Sequence, residues 1–260
     1  VTGARALAVA AALAAATAAA PAKAERLVSS LSTHQVLISS NFTGTEIVLF
    51  GSVERDAATV PRRGGYDLVV TVKGPRETMV VRQKKRVFGI WANAASRTFI
   101  GVPSYLAVLS NRPLDAIAPP DLLRRLEIGL SNVPLPEKPT DKNSAATRDL
   151  EFRGALIRLR TNQTLYREQA NAVTFLTPNL FRASITVPAI APLGTYEVDL
   201  KLFADGTNVA RTTSALELVK VGAEQFIANA AREHGLIYGL ATTLMALATG
   251  WFASILFRRD

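Results

Sequence analysis

The chain has 260 residues, 30 Lys and Arg against 21 Asp and Glu, a formal charge of +9 and no cysteine. Such a length can bury a substantial core in one or two domains. Without thiols the chain has no disulfides, no zinc–thiolate sites and no cysteine nucleophile.

Residues 6–20, ALAVAAALAAATAAA, follow Arg5 and lead into Ala22-Lys23-Ala24. A short positive region, an apolar run and an A-x-A site are the parts of a secretory signal. Residues 1–24 are therefore expected to be a signal peptide, cleaved to leave Glu25 first. An uncleaved anchor is the alternative, but the run is short and alanine-dominated for a permanent span.

From Ser32 to Leu109 the pattern is strand-like. HQVLIS (34–39) and EIVLFGSVER (46–55) are β-rich runs separated by a turn signal at Gly44. YDLVVTVKG (66–74) and ETMVVRQKKR (77–86) flank Gly74-Pro75-Arg76, which predicts a tight hairpin there. VFGIWAN, RTFIG and SYLAVLS follow as further strands. Strands at roughly ten-residue intervals predict a β-sandwich.

The middle changes character. A short helix is expected from Pro120 to about Gly129, with Pro120 in its first turn and Asp121 suiting the helix dipole. The Pro-rich stretch 131–144 reads as a loop. Residues 144–170 then read as an amphipathic helix with Phe152, Leu156, Leu159 and Tyr166 on its apolar stripe and Arg153, Arg158 and Arg160 off it.

After Asn171 the strands resume. In TYEVDLKLF, Tyr196, Val198, Leu200 and Leu202 alternate with Glu197, Asp199 and Lys201, as in a strand with one buried face. Asp205-Gly206 predicts the turn into the last strand, and Pro192 to Tyr196 resembles the corner tyrosine of immunoglobulin-like sandwiches. The predicted fold is mainly β: an immunoglobulin-like β-sandwich over 25–220 with a helical insertion at about 113–170. Two small β lobes separated by helices are the rival arrangement.

Residues 221–234 are expected to form a juxtamembrane helix that runs on into 235–257, GLIYGLATTLMALATGWFASILF, which carries no charge. About 20 apolar residues cross a bilayer as a helix. Arg258 and Arg259 follow at once, and positive charge stays cytoplasmic. The expected topology is a single-pass inner-membrane protein with a periplasmic body and a cytoplasmic tail at 258–260. Leaving out Arg5, Lys23, Arg258, Arg259 and Asp260 lowers the formal charge from +9 to +6 on the exported body. A basic body beside anionic headgroups fits that location, and export makes nucleic acid a poor partner.

GPRETMVVRQKKRVFGIWAN (74–93) followed by VPSYLAVLSNRPL, then PLGTYEVDLKLF and the single C-terminal span, together resemble the alphaproteobacterial transmembrane family Alph_Pro_TM. The resemblance implies a single-pass inner-membrane protein, often encoded near sulfite-exporter-like permeases. It brings no catalytic residues.

Enzymatic constellations are scarce. His34 and His234 have no partner at metal-ligand spacing, and no G-x-S-x-G, H-E-x-x-H or P-loop pattern occurs. Asp67, Asp199 and Asp205 sit on strands or turns with structural explanations, so no cofactor or metal is expected. The interaction candidates are Arg82, Lys84, Arg86, Trp91 and Tyr105. Strand alternation sends the three cations to one face. That face is either a wet edge whose charges deter aggregation or a docking surface for anionic lipid or an acidic partner. Phe88, Trp91 and Tyr105 read as core or hairpin packing rather than as a ligand platform. In the span, Gly235 and Gly239 form G-x-x-x-G, and Ala246 and Gly250 repeat the spacing that lets another helix approach. The reading is a non-enzymatic, membrane-anchored accessory or binding subunit of an inner-membrane assembly. An envelope glycan- or solute-binding module and an acid-based hydrolase are the alternatives.

Overall fold

The alternating stretch 194–204 becomes β11 (Gly194–Ala204), in the middle of the larger sheet of the computed structural model. The structure describes residues 25–55, 65–137, 146–222 and 231–256. Together with β2 (Gln35–Ile38), β4 (Asp67–Lys73), β7 (Leu106–Ser110), β8 (Tyr166–Gln169) and β12 (Thr207–Lys220), it forms a six-stranded sheet. The order is β2-β12-β11-β4-β7-β8. Its two edge pairs, β12 with β2 and β7 with β8, are parallel, and the inner pairs are antiparallel. A four-stranded antiparallel sheet has the order β1-β3-β10-β9, from β1 (Glu25–Leu31), β3 (Gly44–Arg55), β9 (Val173–Phe175) and β10 (Leu180–Pro188). The remaining two strands, β5 (Arg76–Val87) and β6 (Ile90–Pro103), pair with each other as a ribbon, and β6 adds an isolated bridge from Phe99 to Glu137.

The two sheets share one core. Ile47, Leu49 and Val53 of β3 and Phe181, Ala183, Ile185 and Val187 of β10 join Leu68, Val70, Val72, Tyr196, Val198, Leu200 and Leu202 in a single apolar cluster. The Asp205-Gly206 turn joins β11 to β12 with both residues at positive φ, 51° and 75°, which a type I′ connection requires.

β4 and β7 are buried on both faces, and the helical insertion explains why. It contains α1 (Leu114–Ile117), α2 (Pro120–Arg125), a 3₁₀ turn at Leu130–Asn132 and α3 (Ala146–Asn162). Leu114, Ile117, Leu123, Ile128, Val133 and Leu135 join the core cluster. Lys73, on the outer face of β4, meets Glu127 at 3.3 Å. At the start of the insertion the buried Asp67 carboxylate accepts hydrogen bonds from Arg112 Nε and Asn111 Nδ2, each at 2.8 Å.

Several expectations need correction. The strand pattern begins earlier than Ser32, at β1. The helix of the insertion stops at Asn162: the chain turns at Thr164 (φ 59°), and Tyr166 enters β8 rather than a helical stripe. On α3, Phe152 and Leu156 are buried while Leu159 is exposed, and Arg153 points inward to the carbonyls of Leu135 (3.0 Å) and Val133 (3.2 Å). The C-terminal apolar helix α4 spans Gly235–Leu256. Before it, 231–233 is helical and His234 interrupts the helix. The expected signal at 1–24, residues 223–230 of the juxtamembrane segment and the tail at 258–260 lie outside the described residues.

Candidate functional site: the β5–β6 ribbon and the exposed helix α4

The ribbon prolongs the β4/β7 ladder. After Lys73 pairs with Leu106, the Gly74 N–H donates to the Tyr105 carbonyl at 2.8 Å and the Ser104 N–H to the Pro75 carbonyl at 2.9 Å; Arg76 then pairs with Pro103. Gly74-Pro75-Arg76 is therefore a continuation of an extended strand, and the hairpin expected there is absent. Glycine is needed at 74 because an added Cβ would lie 2.8 Å from Ser104 Oγ and 2.9 Å from Tyr105 Cβ. The chain reverses twelve residues later, at Phe88-Gly89, where φ is 49° and 85°. Positive φ at both positions fits a type I′ turn, but a bulky aromatic rarely occupies the first of them.

The root of the ribbon is clamped. Met79, Val81, Phe99 and Val102 are buried. Arg160 of α3 forms an ion pair with Glu77 and lies 3.0 Å from Met79 Sδ, and the Arg97 guanidinium stacks 5.4 Å above the Phe152 ring. The Ile100 N–H donates to the Pro136 carbonyl at 2.8 Å.

Beyond Val81 the described side chains of the ribbon are mostly exposed. Register shifts fall where β6 carries the extra residue, Gln83 facing Ala95 and Lys84 facing Asn93, so alternation along β5 is unbroken. Arg82, Lys84 and Arg86 thus share the face opposite Met79 and Val81, and Trp91 sits directly across from Arg86. At the tip Phe88 is 102% exposed, Ile90 73% and Trp91 67%. Four of the five residues singled out in the sequence therefore come together, and Phe88 and Trp91 are not packing residues. Phe88 and Ile90 belong to the same tip. They carried no sequence signal as surface residues, because aromatic and branched side chains in a strand pattern read as core.

Tyr105 lies elsewhere. It is fully buried, its hydroxyl donates to the Thr186 carbonyl at 2.7 Å, and its ring is 5.6 Å from that of Tyr196. It stitches the six-stranded sheet to β10 and is no part of the exposed patch. Burial pushes its hydroxyl up to about 12, with Arg167 opposing, so it remains a neutral donor. Tyr196 donates to the Pro192 carbonyl at 2.6 Å, and burial raises its pKa too.

A cleft of about 470 Å³ opens on the outer face of the larger sheet, lined among others by Lys73, Arg76, Glu127, Glu197 and Thr213. Its charges are mixed in sign. Deeper on the same face of β11, Asp199 pairs with Lys201 and accepts a bond from Arg211 Nε at 2.7 Å. Among the described residues no group of three or more His, Cys, Asp or Glu is placed to hold a metal. His34 and His234 are both exposed.

On α4 every described side chain is at least partly exposed, and none is buried by the body. At about 100° per residue, Gly235, Gly239, Ala246 and Gly250 fall within about 60° of arc. An added Cβ at any of the three glycines would meet nothing within 4 Å. The arrangement is a flat strip of small residues along one side of an apolar helix.

The family model described as "Putative transmembrane protein (Alph_Pro_TM)" matches residues 26–259. No curated protein matches the chain, and no solved structure does.

Proposed function

The chain belongs to the Alph_Pro_TM family, and from that premise we propose that it is a non-enzymatic accessory or binding subunit of an inner-membrane assembly, held by α4 with its body in the periplasm. The observation that carries this reading is the ribbon: an anchored body extends an arm whose tip exposes Phe88, Ile90 and Trp91 beside Lys84, Lys85 and Arg86. Exposed apolar clusters of this kind serve contact. The small-residue strip on α4 supplies a second contact, suited to a partner helix. The partner we propose is a membrane protein, in keeping with the sulfite-exporter-like permeases implied by the family.

We read the body as an immunoglobulin-like sandwich. The orders β1-β3-β10-β9 and β2-β12-β11-β4-β7 match strands A-B-E-D against A′-G-F-C-C′, and Tyr196 has the corner bond expected on strand F. On this reading the ribbon is an overlong C–C′ hairpin. Folds of this class act mostly as interaction modules, although fold alone does not assign function. The lining of the cleft on the outer face mixes Glu127 and Glu197 with Lys73 and Arg76 and includes Tyr196, a composition that singles out neither alternative reading.

Native-gel migration of the tagged full chain from membranes tests the proposal. The expected result is a complex containing a second integral membrane protein, reduced to the chain alone by Gly239→Leu with Gly250→Leu. A complex containing only this chain, or one indifferent to both substitutions, contradicts the subunit reading.

A further inference from the structure

We propose that the tip of the β5–β6 ribbon is a membrane foot: it rests in the headgroup region of the anionic bilayer that α4 crosses. The inference rests on the anchored-body reading given above and adds the chemistry of what the tip touches.

Three observations point to lipid. The first is composition. Lys84, Lys85 and Arg86 are exposed, and the next described side chains, Phe88, Ile90 and Trp91, are three large apolar residues each at least two-thirds exposed. Tryptophan with adjoining lysine and arginine is the pairing that anchors proteins at a bilayer surface. The ring sits at headgroup depth and the cations meet phosphates.

The second observation is placement. β4 runs toward the end of the sandwich where β12 finishes: Lys73 pairs with Glu197, and Gly194 pairs with Leu218 two residues before β12 ends. Pro75 packs on Gly194, where an added Cβ would meet Pro75 Cγ at 3.3 Å. The ribbon root and the chain's exit toward α4 therefore share one end of the body. Thirteen residue steps separate Gly222 from Gly235, a reach of at most about 45 Å. The twelve residues of β5 extend about 40 Å. An arm of that length, rooted at that end, reaches the bilayer at all but the last few ångströms of gap that the tether permits.

The third is a broken local rule. An isolated two-residue hairpin favours Asn-Gly, yet this turn holds Phe88 at φ 49° with its ring in water. A left-handed conformation is unfavourable for residues other than Gly, Asn and Asp. Such an outlier in an otherwise regular ladder points to a use for the side chain. A ring that enters a membrane gives it one.

The test uses the full chain carrying Trp251→Phe, which leaves Trp91 as the sole tryptophan of the original two. It is reconstituted in nanodiscs of phosphatidylcholine, with or without phosphatidylglycerol, and with ordinary or brominated acyl chains. With phosphatidylglycerol present, Trp91 emission should move to the blue and be quenched by brominated lipid. Each cation at a membrane surface contributes about fivefold to contact. Reversing Lys84, Lys85 and Arg86 to Glu removes three such contributions and adds three repelled anions, so it should lower contact by at least about a hundredfold and abolish the quenching. Phe88→Asn restores the preferred turn, so the ribbon should persist while quenching weakens.

Water-like, unquenched Trp91 in anionic discs would overturn the proposal. Equal quenching with and without phosphatidylglycerol would overturn the anionic assignment. If Trp91 is unquenched in discs but a membrane protein still co-elutes from native membranes, the lipid foot fails while the subunit reading stands. If Trp91 is quenched and the chain runs alone on native gels, the reverse holds.

Discussion

Asp199→Asn tests the energetics of the larger sheet most sharply. The Asp199 and Lys201 side chains are only 2% and 5% exposed, on the same face of β11, whereas Arg211 is 57% exposed. Removing one charge from a buried pair leaves the other buried without compensation, at a cost of about 3–5 kcal/mol. In a domain of this size each kcal/mol lowers Tm by about 2–4 °C, so the variant should melt about 6–20 °C below wild type. Lys201→Met should cost less, because Asp199 keeps Arg211 Nε at 2.7 Å. The double variant D199N/K201M should recover most of the loss, since replacing both members removes the stranded charge. Thermal unfolding of the full chain in mild detergent, followed by near-ultraviolet circular dichroism, reads all three. Burial alone would push the Asp199 carboxyl up, but hydrogen bonds and charge from Arg211 and Lys201 outweigh it and hold the carboxyl below the usual range. The stabilisation is therefore full above the ordinary carboxylate pKa of about 3.9 and is lost as pH falls through the lower folded value. Asp199→Asn should flatten that acid limb. Equal losses from the two single variants, or a double variant that loses their sum, would refute the reasoning.

Three other substitutions probe separate parts of the fold by the same assay. Gly51→Ala places a Cβ 2.2 Å from Phe181 Cζ and 2.5 Å from the Val28 carbonyl. The second obstacle is backbone, so a loss of about 3 kcal/mol is expected, at the upper end of overpacking costs. Ser52→Ala, facing the other way, should stay within about 0.5 kcal/mol. Tyr196→Phe removes the 2.6 Å bond to the Pro192 carbonyl and should cost about 1–2 kcal/mol; no change in Tm would deny the corner bond a structural role.

How far the sequence reached depends on which physical signal each element carries. β11 was legible as a strand because one of its faces meets the core between the sheets, giving clean alternation, but the other face is not wet as that alternation implied: Asp199 and Lys201 are buried on it as an ion pair. The continuous apolar runs in β4 and β7 reflect the insertion over their outer face, a cover that composition alone did not reveal. Asp205-Gly206 was legible because both residues tolerate positive φ. Phe88-Gly89 was not, because Phe is a poor resident of that turn, whereas Gly74-Pro75 carries the stronger local turn signal. Whether a hairpin ends at the sheet edge or extends beyond it depends on how far its neighbours reach, which no local pattern encodes. That is why Trp91 read as packing and lies in the open. Tyr166 fell by coincidence on the spacing of a helical stripe, and only the turn at Thr164 takes it into β8. The span was the clearest feature, since an uncharged run of that length has few other uses.

As proposed, the chain works as an anchored subunit rather than alone. Affinity purification of the full chain from native membranes, with identification of co-eluting proteins, tests it most directly. The account predicts a second integral membrane protein in near-stoichiometric amount, lost with Gly239→Leu and Gly250→Leu together. Recovery of the chain by itself, in a mild detergent that keeps known membrane complexes intact, would contradict it.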